Sequence, residues 1–263
     1  MFKQIRIAVL IYILLFVAAA NYLASRRSTD WDSSLWVDVY PINAEGTPAT
    51  AAFIDTLTPD SFRDIEVFFA EQARHYSLKL DTPFELDLAP ALTDQPPEMP
   101  KQSSWLGAVL WSLKMRWFVW RLNWRSPRPS PDIVLFARYH DPETTTVIER
   151  SGALRKGLIA NVNLFADRRV GGSNAVVTAH ELLHTVGASD KYVPGTNQPL
   201  YPLGYAEPDR KPLHPQRKAE LMAGRIALSP TEAEMPTSLD QVLIGPGTAA
   251  EIGWIDPASL APR

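Results

Sequence analysis

The sequence predicts an α+β fold preceded by one transmembrane helix, and three observations lead to that prediction. The 263 residues are enough for one globular domain of moderate size. Segments with the two-residue period of strands are interspersed with segments of helical period. An almost wholly apolar run covers residues 7–24. We therefore expect a membrane anchor at residues 1–28 and one folded domain at residues 29–263.

The apolar run is interrupted only by Tyr12, Asn21 and Tyr22, and it approaches the length that crosses a bilayer. It is longer than the core of a typical signal peptide, so we favour an uncleaved signal-anchor. The alternative is a secretory signal peptide cleaved near residues 18–20. The first interpretation predicts a membrane-anchored protein with its domain outside the cytoplasm, and the second predicts a secreted protein.

Alternating apolar residues and turn residues define the elements of the domain in chain order. Strands are predicted at residues 35–40, 84–88, 132–139 and 157–166, the first of them ending at Pro41. Helices are predicted at residues 58–75 and 248–252, and a further one follows Gly171, Gly172 and Ser173. Residues 89–103 are predicted to form a proline-rich loop.

The stretch from His180 to Asp190 has the spacing of a zinc site. On a helix, residues four apart share one face, so His180 and His184 can offer imidazole nitrogens to one ion. Glu181 lies about 100° round the helix, which suits a general base beside the metal. Gly187 can adopt the left-handed conformation that ends a helix, and the resulting turn would bring Asp190 back.

Two imidazoles and one carboxylate leave a fourth zinc position open, as in catalytic rather than structural sites. The alternative is a buried helix whose histidines are only hydrogen-bonded. By average composition, H-E-x-x-H alone arises by chance on the order of once per hundred chains of this length. The added glycine and aspartate make chance much rarer, which favours a metal site. The absence of cysteine excludes disulfides, cysteine-ligated metals and thiol catalysis.

The motif resembles the zinc-binding consensus of the metzincin metallopeptidases, H-E-x-x-H-x-x-G-x-x-H/D, in the aspartate form of the snapalysin-type proteases. The resemblance covers residues 171–224. It implies one zinc ion per chain with His180, His184 and Asp190 as ligands, and Glu181 as catalytic base. It also implies a methionine-containing turn beneath the metal, for which Met222 is the candidate.

The resemblance further implies a twisted mixed sheet, an active-site helix behind it and a smaller C-terminal subdomain, with the cleft between them. In that family an edge strand above the cleft pairs with extended substrate, and residues 157–164 are expected to be that strand. The chain also resembles a bacterial group of membrane-anchored metallopeptidase-like proteins. This second likeness implies the inner membrane, with the catalytic domain on its periplasmic side.

The function implied is a zinc metalloendopeptidase that hydrolyses peptide bonds in peptide or protein substrates. An additional donor to the oxyanion is expected, and the choice stays open among Tyr192, Tyr201, Tyr205 and His214. His214 is also a rival third ligand, but Asp190 has the better spacing from Gly187. The alternative function is a non-hydrolytic zinc-binding envelope protein whose cleft binds a peptide or an assembly partner. The presence of Glu181 favours the peptidase.

Residues 99–131 contain six basic residues, no acidic residue and five of the eight tryptophans. Helical spacing within 105–125 relates Trp105, Val109, Leu113, Trp117, Trp120 and Trp124. Tryptophan with lysine or arginine on one helix is typical of a membrane interface. The alternative is an ordinary helix with its tryptophans in the core and its charges in water. Nucleic acid is not expected as a partner, because the basic cluster is short and the net charge of the chain is −3.

Overall fold

A five-stranded sheet forms the centre of the computed structural model, which describes Arg6, Tyr12 and residues 29–98, 105–146, 151–154 and 158–260. At residues 105, 106, 108 and 152–154 only the backbone is described. The strands are β1 (Leu35–Asn43), β2 (Phe84–Leu88), β3 (Ile133–His140), β4 (Gly152–Leu154) and β5 (Ile159–Phe165). Their order in the sheet is β2-β1-β3-β5-β4. The first four in that order run parallel, and β4 is antiparallel to β5.

The helices are α1 (Pro48–Ile54), α2 (Arg63–His75), α3 (Trp105–Arg125), α4 (Gly171–Thr185) and α5 (Pro246–Glu251). Short 3₁₀ turns occupy Pro59–Phe62, Arg168–Val170, Leu239–Gln241 and Pro257–Leu260. The C-terminal third contributes the two-residue strands β6 (Ala219–Glu220), β7 (Ile226–Ala227), β8 (Ala233–Glu234) and β9 (Val242–Leu243). They form two small pairs, β6 with β9 and β7 with β8.

Helices cover both faces of the sheet, as the alternation along β3 shows. Ile133, Leu135 and Ala137 face the apolar core that α2 and α4 share with the sheet. Val134 and Phe136 point the other way, into a second cluster that contains buried residues of α3. Because both faces are buried, β3 is apolar along nearly its whole length.

The fold class predicted from the sequence is therefore wrong. A mostly parallel sheet with helices on both faces is an α/β arrangement, whereas an α+β fold was expected. The order of strands and helices along the chain fits either class. Only the pairing of distant strands in parallel, such as β1 with β3, distinguishes them.

The predicted N-terminal transmembrane helix is not supported. Residues 7–24 lie outside the described residues, apart from Tyr12. Among the residues that the structure does describe, no helix combines the length and the apolar character that crossing a bilayer requires.

The predicted strand at residues 84–88 is confirmed, but the first strand does not end at Pro41. The carbonyl of Pro41 accepts from the Leu92 amide on the β2 side of β1, at 2.9 Å. The N–H and C=O groups of one strand residue point the same way, so the missing N–H of Pro41 faces beyond the end of β2. Pairing with β3 is left intact, and β1 continues to Asn43.

The prediction that residues 157–164 form the open edge strand is also wrong. Residue 157 lies outside the described residues, and residues 159–164 belong to β5, which pairs with β3 on one side and with β4 on the other. The outermost strand at this end of the sheet is β4.

The C-terminal residues share the main core instead of packing on their own. Leu221 and Met222 belong to the same buried cluster as the apolar faces of α2 and α4. The Tyr76 hydroxyl on the end of α2 donates to the Ile244 carbonyl at 2.7 Å, and the Trp31 indole donates to the Ile252 carbonyl at 2.7 Å. The first bond holds the C-terminal segment against the end of α2, and the second holds it against the residues before β1.

Two neighbouring glycines at the start of α4 allow a matched test of how this helix is seated. A side chain at position 172 would overlap the backbone carbonyl of Thr237, whereas position 171 has open space. We expect Gly172→Ala to lower the free energy of unfolding by about 1–3 kcal/mol, the usual cost of overpacking. Gly171→Ala should leave it unchanged or raise it by up to about 1 kcal/mol. Urea unfolding measures both, and equal effects would contradict the close approach.

Candidate metal centre

The first turn of α4 is fixed to the end of β5 by one asparagine. The Asn174 side chain donates to the Phe165 carbonyl at 2.8 Å and accepts from the Phe165 amide at 3.2 Å. Leu182, which lies about 180° round α4 from the two histidines, is fully buried in the core. His180 and His184 consequently point away from the core. They are still largely covered, because only 13% and 16% of their side chains are exposed.

Three donor atoms of the predicted ligands converge in front of α4. His180 Nε2 lies 3.2 Å from Asp190 Oδ1, and His184 Nε2 lies 3.1 Å from the same oxygen. The two imidazole rings are 4.7 Å apart and nearly perpendicular. The structure thus brings together the three residues that the sequence predicts as ligands.

The opposite nitrogen of each ring contacts a backbone carbonyl. His180 Nδ1 lies 2.9 Å from the Leu221 carbonyl, and His184 Nδ1 lies 2.9 Å from the Ala188 carbonyl. A carbonyl only accepts, so each Nδ1 carries the hydrogen and each Nε2 presents a lone pair in the neutral ring. Histidines that bind a metal through one ring nitrogen usually donate the N–H of the other to a carbonyl or carboxylate in this way.

Glu181 is buried beside the histidines, with 6% of its surface exposed. Its carboxylate lies within 4.8 Å of donor atoms of His180 and His184. The Oε2 atom is shielded from solvent and makes no hydrogen bond to the described residues. Burial raises the pKa of this carboxyl, against the opposing charges of the two histidines. An unpaired buried carboxylate oxygen is costly, so its position calls for a further polar partner.

The turn after α4 follows the path that the sequence predicts. Gly187 has a φ of 112°, in the left-handed region, and the Ala188 amide donates to the Leu183 carbonyl at 3.0 Å. The chain therefore reverses directly after the helix. This reversal positions Asp190 in front of the histidines.

The residues on both sides of Asp190 are held by Glu251 at the end of α5. Ser189 donates to the Glu251 carboxylate from its amide at 2.8 Å and from its hydroxyl at 2.6 Å. Lys191, which is almost fully buried, forms an ion pair with the same carboxylate at 2.8 Å. Burial alone would raise the pKa of Glu251, but the hydrogen bonds from Lys191 and Ser189 outweigh it and lower that pKa. The clamp therefore fixes the backbone around Asp190.

The turn around Met222 touches two parts of the site through its backbone. The Leu221 carbonyl faces His180, and the Met222 carbonyl accepts from the Lys191 amide at 2.9 Å. Met222 itself is fully buried. The preceding Glu220 shapes this turn, because its buried carboxylate accepts from the Ala223 amide at 3.0 Å and from the Thr248 hydroxyl at 2.6 Å.

The charges of the site favour an ionised aspartate. Burial would raise the pKa of Asp190, but hydrogen bonds from His180 and His184 outweigh it and lower that pKa strongly. Burial would lower the pKa of His180, but its hydrogen bond with Asp190 and the charge of Glu181 raise it instead. Each of these hydrogen bonds needs a hydrogen on Nε2 and so belongs to the protonated imidazolium, whereas the neutral ring offers Nε2 as a metal ligand.

The four candidates for the oxyanion donor separate into two groups. The Tyr205 hydroxyl and His214 Nε2 lie 3.1 Å apart, and the rings of Tyr201 and Tyr205 are in contact at 5.4 Å. Tyr192 forms a backbone bridge with Pro199 in the loop after Asp190. Asp190 contacts the Nε2 atoms of both motif histidines, whereas Nε2 of His214 contacts the Tyr205 hydroxyl, so Asp190 is the better candidate for third ligand.

Sequence reasoning missed Lys191, Glu220 and Glu251. Lys191 directly follows the aspartate, but a lone lysine carries no signal of burial. The partner Glu251 lies 60 residues further along the chain. No local pattern connects the two, so only the tertiary structure reveals the clamp.

Comparisons with protein-family models and with curated proteins give no match for this chain. The resemblance to metzincins therefore rests on the sequence motif alone.

The clamp predicts that Glu251 supports metal affinity without being a ligand. Removing it with Glu251→Ala frees both neighbours of Asp190, and we expect zinc affinity to fall by about 10- to 100-fold, as for other outer-shell residues. Glu71→Ala, at an exposed site on α2, is the matched control. Competition titration with a zinc-selective chelator measures the affinity. Equal affinities for the two variants would show that the clamp does not support the aspartate.

Proposed function

We propose that the chain is a zinc-dependent peptidase with His180, His184 and Asp190 as ligands and Glu181 as general base. The supporting observation is the position of one Asp190 oxygen 3.2 and 3.1 Å from the two Nε2 atoms. In a tetrahedral zinc site, bonds of 2.0–2.2 Å place ligand atoms about 3.3–3.5 Å apart. The donor set and its spacing therefore fit zinc after only a small outward adjustment.

A catalytic site is favoured over a structural one by the number and type of side chains. Structural zinc sites close with four protein ligands, whereas this centre has three and a buried glutamate beside them. The buried Oε2 of Glu181 makes no hydrogen bond to the described residues, and burying it unpaired costs stability. A role for Glu181 as general base explains why an unpaired carboxylate oxygen is buried at this position.

When bound, zinc supplies a Lewis acid that polarises a carbonyl and lowers the pKa of a coordinated water. Glu181 Oε2 is the atom that accepts a proton from the attacking water and passes it to the leaving nitrogen. The hydrogen bonds from Nδ1 of His180 and His184 to backbone carbonyls fix the orientation of the two rings.

The proposed substrate is an extended peptide, and β4 is the strand that would bind it. β4 and β5 both lie beside α4, and β4 is the outermost strand at this end of the sheet. An extended peptide can add to such an edge through backbone hydrogen bonds. This assignment replaces the expected role of residues 157–164.

Exchanging the base for its amide tests the proposed mechanism. Glu181→Gln keeps the ligands and removes the proton acceptor, so we expect zinc content to stay at one per chain and peptide cleavage to fall by about 10²- to 10⁴-fold. Elemental analysis and cleavage of casein or a peptide library measure these quantities. Glu71→Gln, on the surface of α2, should match the unmodified chain in both assays.

Three results would overturn parts of the proposal. Equal cleavage by the chain and by Glu181→Gln would remove the peptidase assignment. Zinc binding without cleavage of any peptide would favour the non-hydrolytic alternative, in which the cleft binds a peptide or an assembly partner. A folded chain that takes up no zinc would remove both.

Metal removal gives an independent prediction. Zinc that binds only the folded chain should stabilise it by about 2.7 kcal/mol at a free concentration 100 times Kd. We expect zinc added to chelator-treated protein to raise the thermal midpoint, and Asp190→Asn to reduce that rise. Differential scanning calorimetry measures both. The same rise in the variant would show that Asp190 is not a ligand.

A further inference from the structure

The outer face of α3 is an exposed apolar stripe on the side of the sheet opposite to α4. Six large apolar side chains on this face are between 48% and 78% exposed. They are Val109, Leu110, Leu113, Trp117, Trp120 and Trp124. At about 100° per residue, all six fall within one quarter to one third of the helix circumference. Isolated apolar residues on a surface are ordinary, but a contiguous stripe of this kind marks an interaction site.

The stripe does not contribute to the core. Met115 and Phe118 on the opposite face of α3 are buried against the sheet, with Trp111 and Leu122 packed beside them. The interpretation that the tryptophans of this segment lie in the core therefore fails for Trp117, Trp120 and Trp124. Folding of the domain leaves these rings in water, so a partner outside the described fold is needed to bury them.

Basic side chains flank the stripe on both sides. By helical position, Lys114, Arg121 and Arg125 follow one border and Arg116 follows the other. Arg121 also lies over the Trp117 ring at 5.2 Å and pairs with Asp94 at 2.8 Å. The sequence has no acidic residue between positions 99 and 131. Apart from Arg121, whose charge is balanced by Asp94, the borders carry Lys114, Arg116 and Arg125, and the centre is apolar and rich in tryptophan.

We propose that this face of α3 docks on an anionic lipid surface. Tryptophan and leucine would enter the interface between headgroups and acyl chains, and the flanking cations would contact phosphate groups. Charge complementarity selects this occupant, because a second copy of the chain would bring the same cations into contact with one another. Nucleic acid would use the cations but would leave the aliphatic centre of the stripe exposed to water.

The predicted orientation places the candidate metal centre away from the lipid. The helix that carries His180 and His184 packs on the opposite face of the sheet from α3. Docking through α3 would leave α4 and its loops facing the aqueous phase. This inference does not depend on the peptidase proposal, since it concerns a different face.

The chain contains no cysteine, so a single introduced thiol can report contact with lipid. Leu113→Cys in the full-length chain places a fluorescent label at the centre of the stripe, and Glu71→Cys places a control label on exposed α2. The probes are vesicles of phosphatidylcholine with phosphatidylglycerol, vesicles of phosphatidylcholine alone, and vesicle-free solution. We expect the label at position 113 to be shielded from iodide by the anionic vesicles, and the label at position 71 to stay accessible.

Charge reversal then tests the role of the cations. Lys114→Glu with Arg125→Glu, in the Leu113→Cys background, should weaken the shielding at least about tenfold in vesicle concentration, because each cation near an anionic surface contributes roughly fivefold. A label at position 113 that remains open to iodide on anionic vesicles would overturn the proposal. Equal shielding without vesicles would overturn it too, since another segment or a second copy would then cover the face. Shielding unaffected by charge reversal would exclude an electrostatic lipid site.

Discussion

The other features of the site serve one contact, in which the carboxylate of Asp190 lies between the imidazoles of His180 and His184. It requires that α4 present two histidines on one face, that the chain reverse at Gly187, and that the following loop be held in place. Glu251 provides the last of these from a helix distant in sequence. The chain thus forms one local motif and supports it by a long-range polar clamp.

Sequence reasoning succeeded where the structure is local. The break at residues 171–173 and the four-residue spacing of the histidines predict the helix that carries them, and one glycine with positive φ predicts the reversal after it. Asp190 lies close enough in sequence for spacing alone to predict its position. The apolar alternation of residues 84–88 likewise predicts β2 with the bounds that are observed.

Sequence reasoning failed where distant segments decide the outcome. The fold class depends on parallel pairing between strands separated by many residues, and the order of elements contains no information on it. Pro41 was expected to end β1. The neighbouring strand β2 ends before it, so the missing N–H of Pro41 removes no hydrogen bond between the two strands. On α3, helical spacing could not decide which side faces the sheet. The smaller Met115 and Phe118 pack there, and three larger tryptophans stay outside.

The acceptors that orient the two imidazoles belong to the main chain, at Leu221 and Ala188. No side-chain replacement at those positions deletes a carbonyl, so ring tautomer is insulated from most point mutations. The orientation of each ring depends instead on the backbone conformation of the turn that contains Leu221 or Ala188. Insertions or deletions that reroute the turns at Leu221 and Ala188 would therefore change the orientation of the rings more than a single exchange of either residue.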